Sequence, residues 1–266
     1  MLNKRVITAL WGLPLVLASV WFDGPLPWFT ILAAVFGLLG VLEFYRITGV
    51  ARVPALLVFG GVLTLLFIVS PHFPFGMVLP LLLTAAVILP MALLLFLRDR
   101  AGGALVWAWT LAGIFYAGWL MSYLVSLRLE AGREWLLLTL LVTFASDSAA
   151  FFVGRSFGRH RLAPRVSPGK TWEGAAAGLV GAVAISLGLT ALLKPMGYPA
   201  AALFGVVISV CAQLGDLVES RLKRSGGVKE SGRLLPGHGG VLDRMDSLVF
   251  AGVAAYYFFL AASLLA

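Results

Sequence analysis

The chain has 266 residues, of which 61% are hydrophobic and 12% are charged, and its mean hydropathy is +0.98. A soluble domain is about half apolar and about a quarter charged, so this composition excludes an ordinary soluble protein and predicts an integral membrane protein. The formal net charge is +8. The basic residues lie in short loops between apolar runs. This pattern is typical of residues that set membrane orientation and bind anionic lipid headgroups, and it argues against nucleic-acid binding. The single cysteine, Cys211, excludes an internal disulfide framework and a cysteine zinc site.

Nine apolar stretches reach or approach the length of about 20 residues that a helix needs to cross a bilayer. The first stretch follows Lys4 and Arg5 as in a secretory signal, but no A-x-A-type cleavage site comes after it. We therefore interpret it as an uncleaved first helix. The sequence predicts an all-α integral membrane protein, a polytopic bundle of about nine transmembrane helices. The stretches lie near residues 6–22, 27–48, 53–70, 77–97, 103–127, 135–154, 172–193, 199–219 and 240–265.

The distribution of basic residues predicts the orientation of the chain. With a cytoplasmic N-terminus, sixteen of the 20 Lys and Arg residues fall on the cytoplasmic side. Arg128, Arg133 and Lys194 fall on the outer side, whereas the two most basic loops, residues 155–170 and 220–239, both face inside. This asymmetry is typical of multi-pass proteins that obey the positive-inside rule. We expect a location in the cell (inner) membrane with the active site facing the cytoplasm.

The two halves of the chain differ in polar content. Residues 1–130 carry few charges and predict a transmembrane scaffold, which could also supply an oligomer contact or a lipid-access groove. In this half Glu43 and Arg46, at i and i+3, are interpreted as a pair at a helix end, and we expect Glu43→Gln to leave most of the activity. His72 is interpreted as a solvated outer-loop residue. Residues 131–266 carry the chemistry and are predicted to form the catalytic region.

Asp147 is the first candidate functional residue of the second half. It lies about seven residues inside the cytoplasmic end of the sixth predicted helix, which is roughly 10 Å at 1.5 Å per residue. An ionisable group at that depth is expensive and indicates function unless it is paired. The alternative is a structural ion pair with an arginine such as Arg155.

A possible phosphate-binding segment precedes the seventh predicted helix. Ser167, Lys170 and Thr171 stand at the start of that helix, where free backbone amides and the helix dipole favour an anion. A Walker motif would need glycine at the position of Pro164, so an ATPase loop is excluded. The alternative is a capped helix start with an interfacial lysine, in which Glu173 only interacts favourably with the helix dipole.

Two pairs of carboxylates mark the inner ends of the last two predicted helices. Asp216 and Glu219 are three residues apart, and Asp243 and Asp246 repeat that spacing, which places each pair on one face of a helix. Carboxylate oxygens bind hard divalent cations. Together with Asp147, the pairs predict a site for one or two Mg²⁺ ions.

A basic connector that ends in the glycine-rich turn P-G-H-G-G joins the two pairs. Lysines, arginines and amides exposed by glycine bind phosphate, and we interpret His238 as a phosphate donor or a turn residue rather than a metal ligand. The alternative is structural: Asp216 pairs with Lys223, and Asp243 and Asp246 serve as a partner of the helix dipole and in a salt bridge with Arg244. The candidate substrate-binding residues in this part are Ser220, Lys229, His238, Gly239 and Gly240.

At these residues the sequence closely resembles the phosphatidate cytidylyltransferase (CDP-diacylglycerol synthase) family. One departure stands at Lys229-Glu230, where that family has Lys-Asp. The resemblance is specific over about residues 140–250, and the first half resembles the family only in its general apolar character. The segments that carry it are S-R-L-K-R at 220–224, P-G-H-G-G-V-L-D-R-M-D at 236–246, F-A-S-D at 144–147, S-P-G-K-T-W-E-G at 167–174 and Q-L-G-D-L-x-E-S at 213–220.

The resemblance implies an activity in which CTP and phosphatidate give CDP-diacylglycerol and pyrophosphate, with Mg²⁺ required. Metal and phosphate chemistry follow from the residues alone, whereas cytidine follows only from the resemblance. In this interpretation Asp216, Asp243 and Asp246 hold metal, with Asp147 and Glu219 as further candidate ligands. The catalytic candidates are Asp216, Asp243, Asp246, Lys223, Arg224 and Arg244, and Lys170 also neutralises the anionic substrates. A homodimer is compatible with the resemblance, and the residues leave open whether a monovalent cation shares the site.

Three other classes of protein were weighed against this interpretation. A CDP-alcohol phosphotransferase also gathers aspartates at a membrane face, but its D-G-x-x-A-R pattern does not fit this chain. A CTP-dependent lipid or polyprenol kinase would build a similar site. A metal- or proton-coupled transporter usually shows paired broken helices in two related halves, whereas the charge here falls in one half. Pyrophosphate release from CTP and phosphatidate distinguishes the first interpretation from all three.

Overall fold

The architecture is that of a helical membrane protein. A computed structural model describes residues 12, 14–22, 24–73, 76–96, 103–232, 234 and 239–265. Within this part of the chain, eight helices are long and apolar enough to cross a membrane. The prediction of an all-α polytopic membrane protein is therefore confirmed. The predicted span near residues 6–22 lies largely outside the described residues, of which 14–21 are helical.

The observed spans agree with the predicted apolar stretches to within a few residues at most ends. Two π-helical segments, Phe115–Trp119 and Leu127–Ala131, flank the helix Leu120–Ser126, so that residues from Gly103 to Ala131 form a single span. The helices are α1 Trp28–Thr48, α2 Pro54–Val69, α3 Val78–Phe96, α4 Gly103–Ile114, α5 Leu120–Ser126, α6 Arg133–Phe157, α7 Trp172–Leu193, α8 Tyr198–Ser225 and α9 Leu242–Leu265. Two short 3₁₀ turns, Val50–Arg52 and Ser70–His72, follow α1 and α2.

The chain divides into two compact units. Unit 1 comprises Met1–Val125 and Gly226–Met245, and unit 2 comprises Ser126–Ser225 and Asp246–Ala266. The first boundary lies close to the division near residue 130 that the sequence suggests. The part of the basic connector from Gly226 onward and the start of α9, however, belong to the unit that contains the first half of the chain.

The core of unit 1 packs large side chains against glycine. Tyr45 of α1 is fully buried, and its hydroxyl donates to the Thr110 carbonyl of α4 at 2.9 Å. A Cβ atom at Gly60 or Gly113 would collide with the Tyr45 ring, so these glycines make room for it. His72 is half-buried and lies 2.8 Å from Thr30 Oγ1. His72 thus lies in the turn after α2, as predicted, but is only partly solvated.

In unit 2, helices α6, α7 and α8 approach one another through small residues. A Cβ atom at Gly205 of α8 would lie 2.7 Å from Val183 Cα of α7, and one at Gly178 of α7 would lie 3.0 Å from the Ser146 carbonyl oxygen of α6. Helices in a bilayer gain little from apolar burial against each other, and small residues allow the close backbone contact that stabilises them instead.

A chain of buried and partly buried polar contacts also joins these three helices. Ser146 Oγ of α6 lies 2.8 Å from Ser209 Oγ of α8. The Gln213 amide of α8 donates to Ser209 Oγ at 3.0 Å and to the Ala175 carbonyl of α7 at 3.2 Å. We call Ser146, Ser209 and Gln213 the polar seam. The seam fixes the rotation of α8 about its own axis, because Gln213 contacts the Ala175 carbonyl only when its side of α8 faces α7.

A short antiparallel hairpin lies between α6 and α7, where the sequence predicted a loop over residues 155–170. Its strands are β1, Arg161–Ala163, and β2, Ser167–Thr171. The hairpin ends in a helix cap, because Thr171 Oγ1 accepts a hydrogen bond from the Gly174 amide at 3.1 Å. The strand pair therefore delivers the chain directly into the first turn of α7.

Candidate functional site

Three carboxylates of unit 2 come together at the inner ends of α8 and α9. One oxygen of Asp216, one of Glu219 and one of Asp246 all lie within 4.8 Å of one another. Glu219 is fully buried and the two aspartates are half-buried. Hard divalent cations take oxygen ligands, and carboxylates are the protein groups that Mg²⁺ uses. The donor set of this carboxylate group therefore fits a cation such as Mg²⁺.

Helix spacing and one glycine explain how the group forms. Asp216 and Glu219 are one turn apart on α8, so both face the same side. Gly215 precedes them, and a Cβ atom there would collide with the backbone carbonyl oxygen of Asp246. Because Gly215 has no side chain, the backbones of α8 and α9 touch at this point, and Asp246 comes within reach of the α8 pair.

Two lysines accompany the carboxylate group. Lys170 Nζ, on β2, lies 2.7 Å from Asp216 Oδ2, and Lys223 Nζ, one turn beyond Glu219, lies 2.5 Å from Glu219 Oε2. Ser220 Oγ donates to Asp216 Oδ1 at 3.3 Å. The alternative pairing of Asp216 with Lys223 is wrong, because Asp216 pairs with Lys170. Lysines in these positions partly compensate buried carboxylate charge and place positive charge where a phosphate could bind.

Other predicted phosphate-binding residues hold the hairpin. Thr171 uses its hydroxyl to cap α7. Arg224, near the end of α8, donates from Nε to the Val166 carbonyl oxygen at 3.3 Å. Ser167 is half-buried at the start of β2. Arg224 and the Lys170–Asp216 pair thus both tie the hairpin to the inner end of α8, and contact of these residues with substrate stays a prediction.

Glu173 has a larger role than the predicted answer to the helix dipole. Its carboxylate accepts from the Arg159 amide at 3.2 Å and the His160 amide at 3.3 Å, and it lies 2.6 Å from His160 Nδ1. These contacts hold the turn between α6 and β1. The turn borders a cavity of about 500 Å³ lined by Ser156, Phe157, Gly158, Arg159, His160 and Glu173.

Asp147 is half-buried in α6, next to Ser146 of the polar seam. It does not belong to the group formed by Asp216, Glu219 and Asp246, and its assignment as a metal ligand stays a prediction. Sequence depth alone marked it as functional, and the structure gives it a place in the same helical bundle of unit 2.

In unit 1, Asp243 lies in the first turn of α9 and binds backbone amides. Its Oδ2 accepts from the Gly240 amide at 2.8 Å and from the Ser231 amide at 3.1 Å. Gly239 adopts a φ of 80°, a conformation that favours glycine. Asp243 therefore closes the turn that leads into α9, and its assignment as a metal ligand stays a prediction.

The remaining candidates of the connector are exposed or lie outside the described residues. Lys229 and Arg244 are exposed. Glu230, the departure from the family pattern, is exposed as well. His238 lies outside the part of the chain that the structure describes. Their roles as substrate-binding or catalytic residues stay predictions.

Glu43 is the residue that the sequence reasoning missed. It is fully buried in α1, and its Oε2 accepts from Ser231 Oγ and from the Leu242 amide, both at 2.9 Å. The interpretation of Glu43 as a helix-end partner of Arg46 is therefore wrong. A carboxylate inside an apolar span indicates function by default, and the same rule that selected Asp147 would have selected Glu43.

The fold and the carboxylate group define a polytopic membrane protein with a candidate cation site at the ends of two helices. The chain matches the Cytidylyltransferase family over residues 3–262. It belongs to this family, and the resemblance seen in its motifs is confirmed.

Named relatives narrow the comparison. The chain is 35% identical over 269 residues to the phosphatidate cytidylyltransferase of Bacillus subtilis (strain 168), covering 96% of this chain and 97% of that protein. It is 45% identical over 152 residues to the phosphatidate cytidylyltransferase of Brucella suis, covering 56% of each chain. It is 41% identical over 201 residues to phosphatidate cytidylyltransferase 5, chloroplastic, of Arabidopsis thaliana, covering 66% of this chain and 50% of that protein. The matches thus span about half the length of the Brucella and Arabidopsis relatives.

Proposed function

We propose that this protein is a phosphatidate cytidylyltransferase, which converts CTP and phosphatidate to CDP-diacylglycerol and pyrophosphate. The observation that carries the proposal is the carboxylate group of Asp216, Glu219 and Asp246, with Lys170 and Lys223 beside it. Such a group suits a reaction between two anionic phosphate compounds. The name and nearly full-length match of the Bacillus relative support the same activity.

Asp216, Glu219 and Asp246 are the residues that would hold a divalent cation, and Mg²⁺ is the ion that this all-oxygen donor set favours. When bound, such an ion supplies Lewis-acid stabilisation of charge on phosphoryl oxygens and on the leaving pyrophosphate. Asp243 remains a candidate ligand because it precedes Asp246 by one turn of α9. Asp147 remains a candidate because it is a carboxylate within the span of α6, in the same unit as the group.

The basic residues of the chain neutralise the substrates. CTP and phosphatidate repel each other, and Lys170 and Lys223 lower that repulsion because they lie within 3 Å of the carboxylate group. Arg224 holds the hairpin that carries Lys170. Arg244, exposed in the first turn of α9, is suited to a phosphate of either substrate.

The reaction is an in-line substitution at phosphorus. An oxygen of the phosphatidate phosphate forms a bond to the α-phosphorus of CTP, and the bond from that phosphorus to the β-bridging oxygen breaks. Pyrophosphate leaves with the electron pair of the broken bond. A phosphate monoester has a second pKa of about 6 and is already ionised near pH 7, so no strong general base is needed. Positioning and electrostatic stabilisation by the chain supply the catalysis.

We place the site at the cytoplasmic face of the cell (inner) membrane. The basic loops before α7 and after α8 favour that side, where CTP arrives from water and phosphatidate from the bilayer. Residues 1–130 are assigned the role of a scaffold, and a homodimer through this part of the chain is compatible with its low content of charged residues.

The test is pyrophosphate release by the purified protein in detergent, with CTP and phosphatidate, with and without Mg²⁺. We expect release only when all three are present, together with a CDP-lipid product. EDTA should abolish release and added Mg²⁺ should restore it. If the folded protein releases no pyrophosphate, the proposal fails, and formation of CDP with a phosphorylated lipid would indicate a lipid kinase instead.

A further inference from the structure

Glu43 holds both ends of residues 231–242, the last part of the connector up to the start of α9, in unit 1. Its side chain is fully buried in the last two turns of α1. A single oxygen, Oε2, accepts from Ser231 Oγ at the start of this stretch and from the Leu242 amide at its end. Ser231 is 188 residues and Leu242 is 199 residues away along the chain. These are therefore tertiary contacts and not part of the α1 helix.

The backbone of the connector lies directly against the Glu43 carboxylate. A Cβ atom at Gly232 would collide with Glu43 Oε1, and a Cβ atom at Gly240 would collide with Glu43 Oε2 and Ser231 Oγ. Glycine at both positions therefore permits the contact. These two glycines stand on either side of residues 233–239 in the sequence. The chain therefore contacts the Glu43 carboxylate both before and after that stretch.

Asp243 completes the arrangement. Its Oδ2 accepts from the amides of Ser231 and Gly240, so Ser231 donates from its backbone to Asp243 and from its side chain to Glu43. The carboxylates of Glu43 and Asp243 thus accept four hydrogen bonds from donors at the two ends of residues 231–242. Hydrogen bonds to ionised acceptors are roughly twice as strong as neutral ones, and a buried donor that loses its acceptor is destabilised.

We propose that Glu43 is a positioning residue, which fixes Ser231 and Leu242 and thereby sets the position of Gly240 and of the first turn of α9. The kinetic consequence rests on the proposed function and on the sequence-based prediction that Gly239 and Gly240 contact substrate phosphate. Glu43 touches no substrate itself. It acts through the backbone that it holds and through the first turn of α9.

Kinetics test the proposal with Glu43→Ala and Glu43→Gln. Glu43→Ala removes the acceptor of two buried donors, and we expect the KM for CTP to rise roughly tenfold. Glu43→Gln retains an amide oxygen as acceptor and should keep the KM within about threefold of the parent value. Glu134→Ala is the control, because Glu134 is an exposed carboxylate of unit 2 and its loss should leave the KM unchanged. An unchanged KM in folded Glu43→Ala would overturn the proposal, since loss of stability alone alters the amount of active protein and not its KM.

Hydrogen–deuterium exchange gives a readout that needs no activity. In Glu43→Ala we expect faster exchange in residues 231–242, which include the Leu242 amide, and unchanged exchange in α7. Faster exchange without any cytidylyl transfer by the parent protein would sustain the positioning contact and defeat the proposed function. Normal exchange in an active enzyme would overturn the positioning role alone.

Ser231→Ala provides a second variant in case Glu43→Ala does not fold. It removes one donor and leaves Glu43, Gly232 and Gly240 in place. We expect the KM for CTP to rise by a factor of about three, with faster exchange in residues 231–242. If Ser231→Ala changes neither the KM nor the exchange, the proposal is overturned.

Discussion

Lys170 Nζ lies 2.7 Å from Asp216 Oδ2, and this ion pair joins the hairpin before α7 to the inner end of α8. Both side chains are only partly exposed, at 21% and 34%. The contact places a cation beside the carboxylate group from an element distant in sequence. Lys223 does the same locally for Glu219, so each α8 carboxylate has its own lysine.

Removal of the Lys170 charge should weaken catalysis. For Lys170→Met we expect the kcat/KM for CTP to fall at least about tenfold, because a charge-assisted contact to phosphate is lost. The apparent affinity for Mg²⁺ should rise, since Asp216 is left without its compensating charge. Steady-state kinetics at varied Mg²⁺ measure both effects. Lys194→Met, which alters an exposed lysine in the turn after α7, is the control and should behave as the parent. A parent-like kcat/KM in Lys170→Met would contradict the role assigned to this pair.

Asp246 should be indispensable for turnover. Asp246→Asn keeps the shape of the side chain and removes one of three charges from the carboxylate group, so we expect kcat to fall by about a hundredfold or more. The melting temperature should stay near that of the parent. Pyrophosphate release and thermal unfolding, measured beside Glu134→Gln as the exposed control, check this. Parent-like turnover in Asp246→Asn would remove Asp246 from the cation site.

Gly215 should be sensitive to a single methyl group. A Cβ atom there collides with the Asp246 carbonyl oxygen, whereas a Cβ atom at Gly188 of α7 meets nothing within 4 Å. Gly215→Ala should separate α8 from α9 and lower kcat roughly a hundredfold, since displacements of about 1 Å have effects of that size.

Gly188→Ala is the matched control for Gly215→Ala. The same substitution in open space should leave kcat unchanged and the melting temperature equal or slightly higher, because alanine favours helix. Equal activity of the two variants would show that the backbone contact between α8 and α9 does not set the geometry of the carboxylate group.

Glu173 and His160 should contribute unequally to the turn before β1. Glu173→Ala removes the acceptor of the Arg159 and His160 amides, and we expect faster hydrogen–deuterium exchange in residues 158–163. His160→Ala leaves both amide contacts in place, and the His160 side chain is 79% exposed, so exchange should stay close to the parent rate. An equal response of the two variants would mean that the side-chain pair, and not the amide contacts, holds the turn.

Apolar length was sufficient to predict the spans, because a bilayer requires about 20 apolar residues whatever packs around them. The predicted stretch at 172–193 coincides with α7, and the stretch at 27–48 begins one residue before α1. Helical spacing likewise placed Asp216 and Glu219 on one face. These properties are local, so the sequence carries them without knowledge of the fold.

Contacts between distant segments were beyond the reach of the sequence. Glu43 looked like a local partner of Arg46, but its partners are Ser231 and Leu242, and no spacing rule connects residues so far apart. The Lys170–Asp216 pair is equally long-range. The Lys223–Glu219 pair, by contrast, has i,i+4 spacing and could have been chosen over a Lys223–Asp216 pair by helix geometry alone.

The polar seam has a consequence for how the polypeptide is assembled in the bilayer. A helix that enters lipid alone satisfies the partly buried Gln213 amide only in part, because its acceptor Ser209 lies on α8 itself whereas the Ala175 carbonyl lies on α7. We therefore expect α8 to settle in the bundle against α6 and α7 after those two helices have been inserted. Asp216 and Glu219 lie on the same helix as Gln213. We therefore expect these two carboxylates to reach their positions in the bundle only after α7 is present in the membrane.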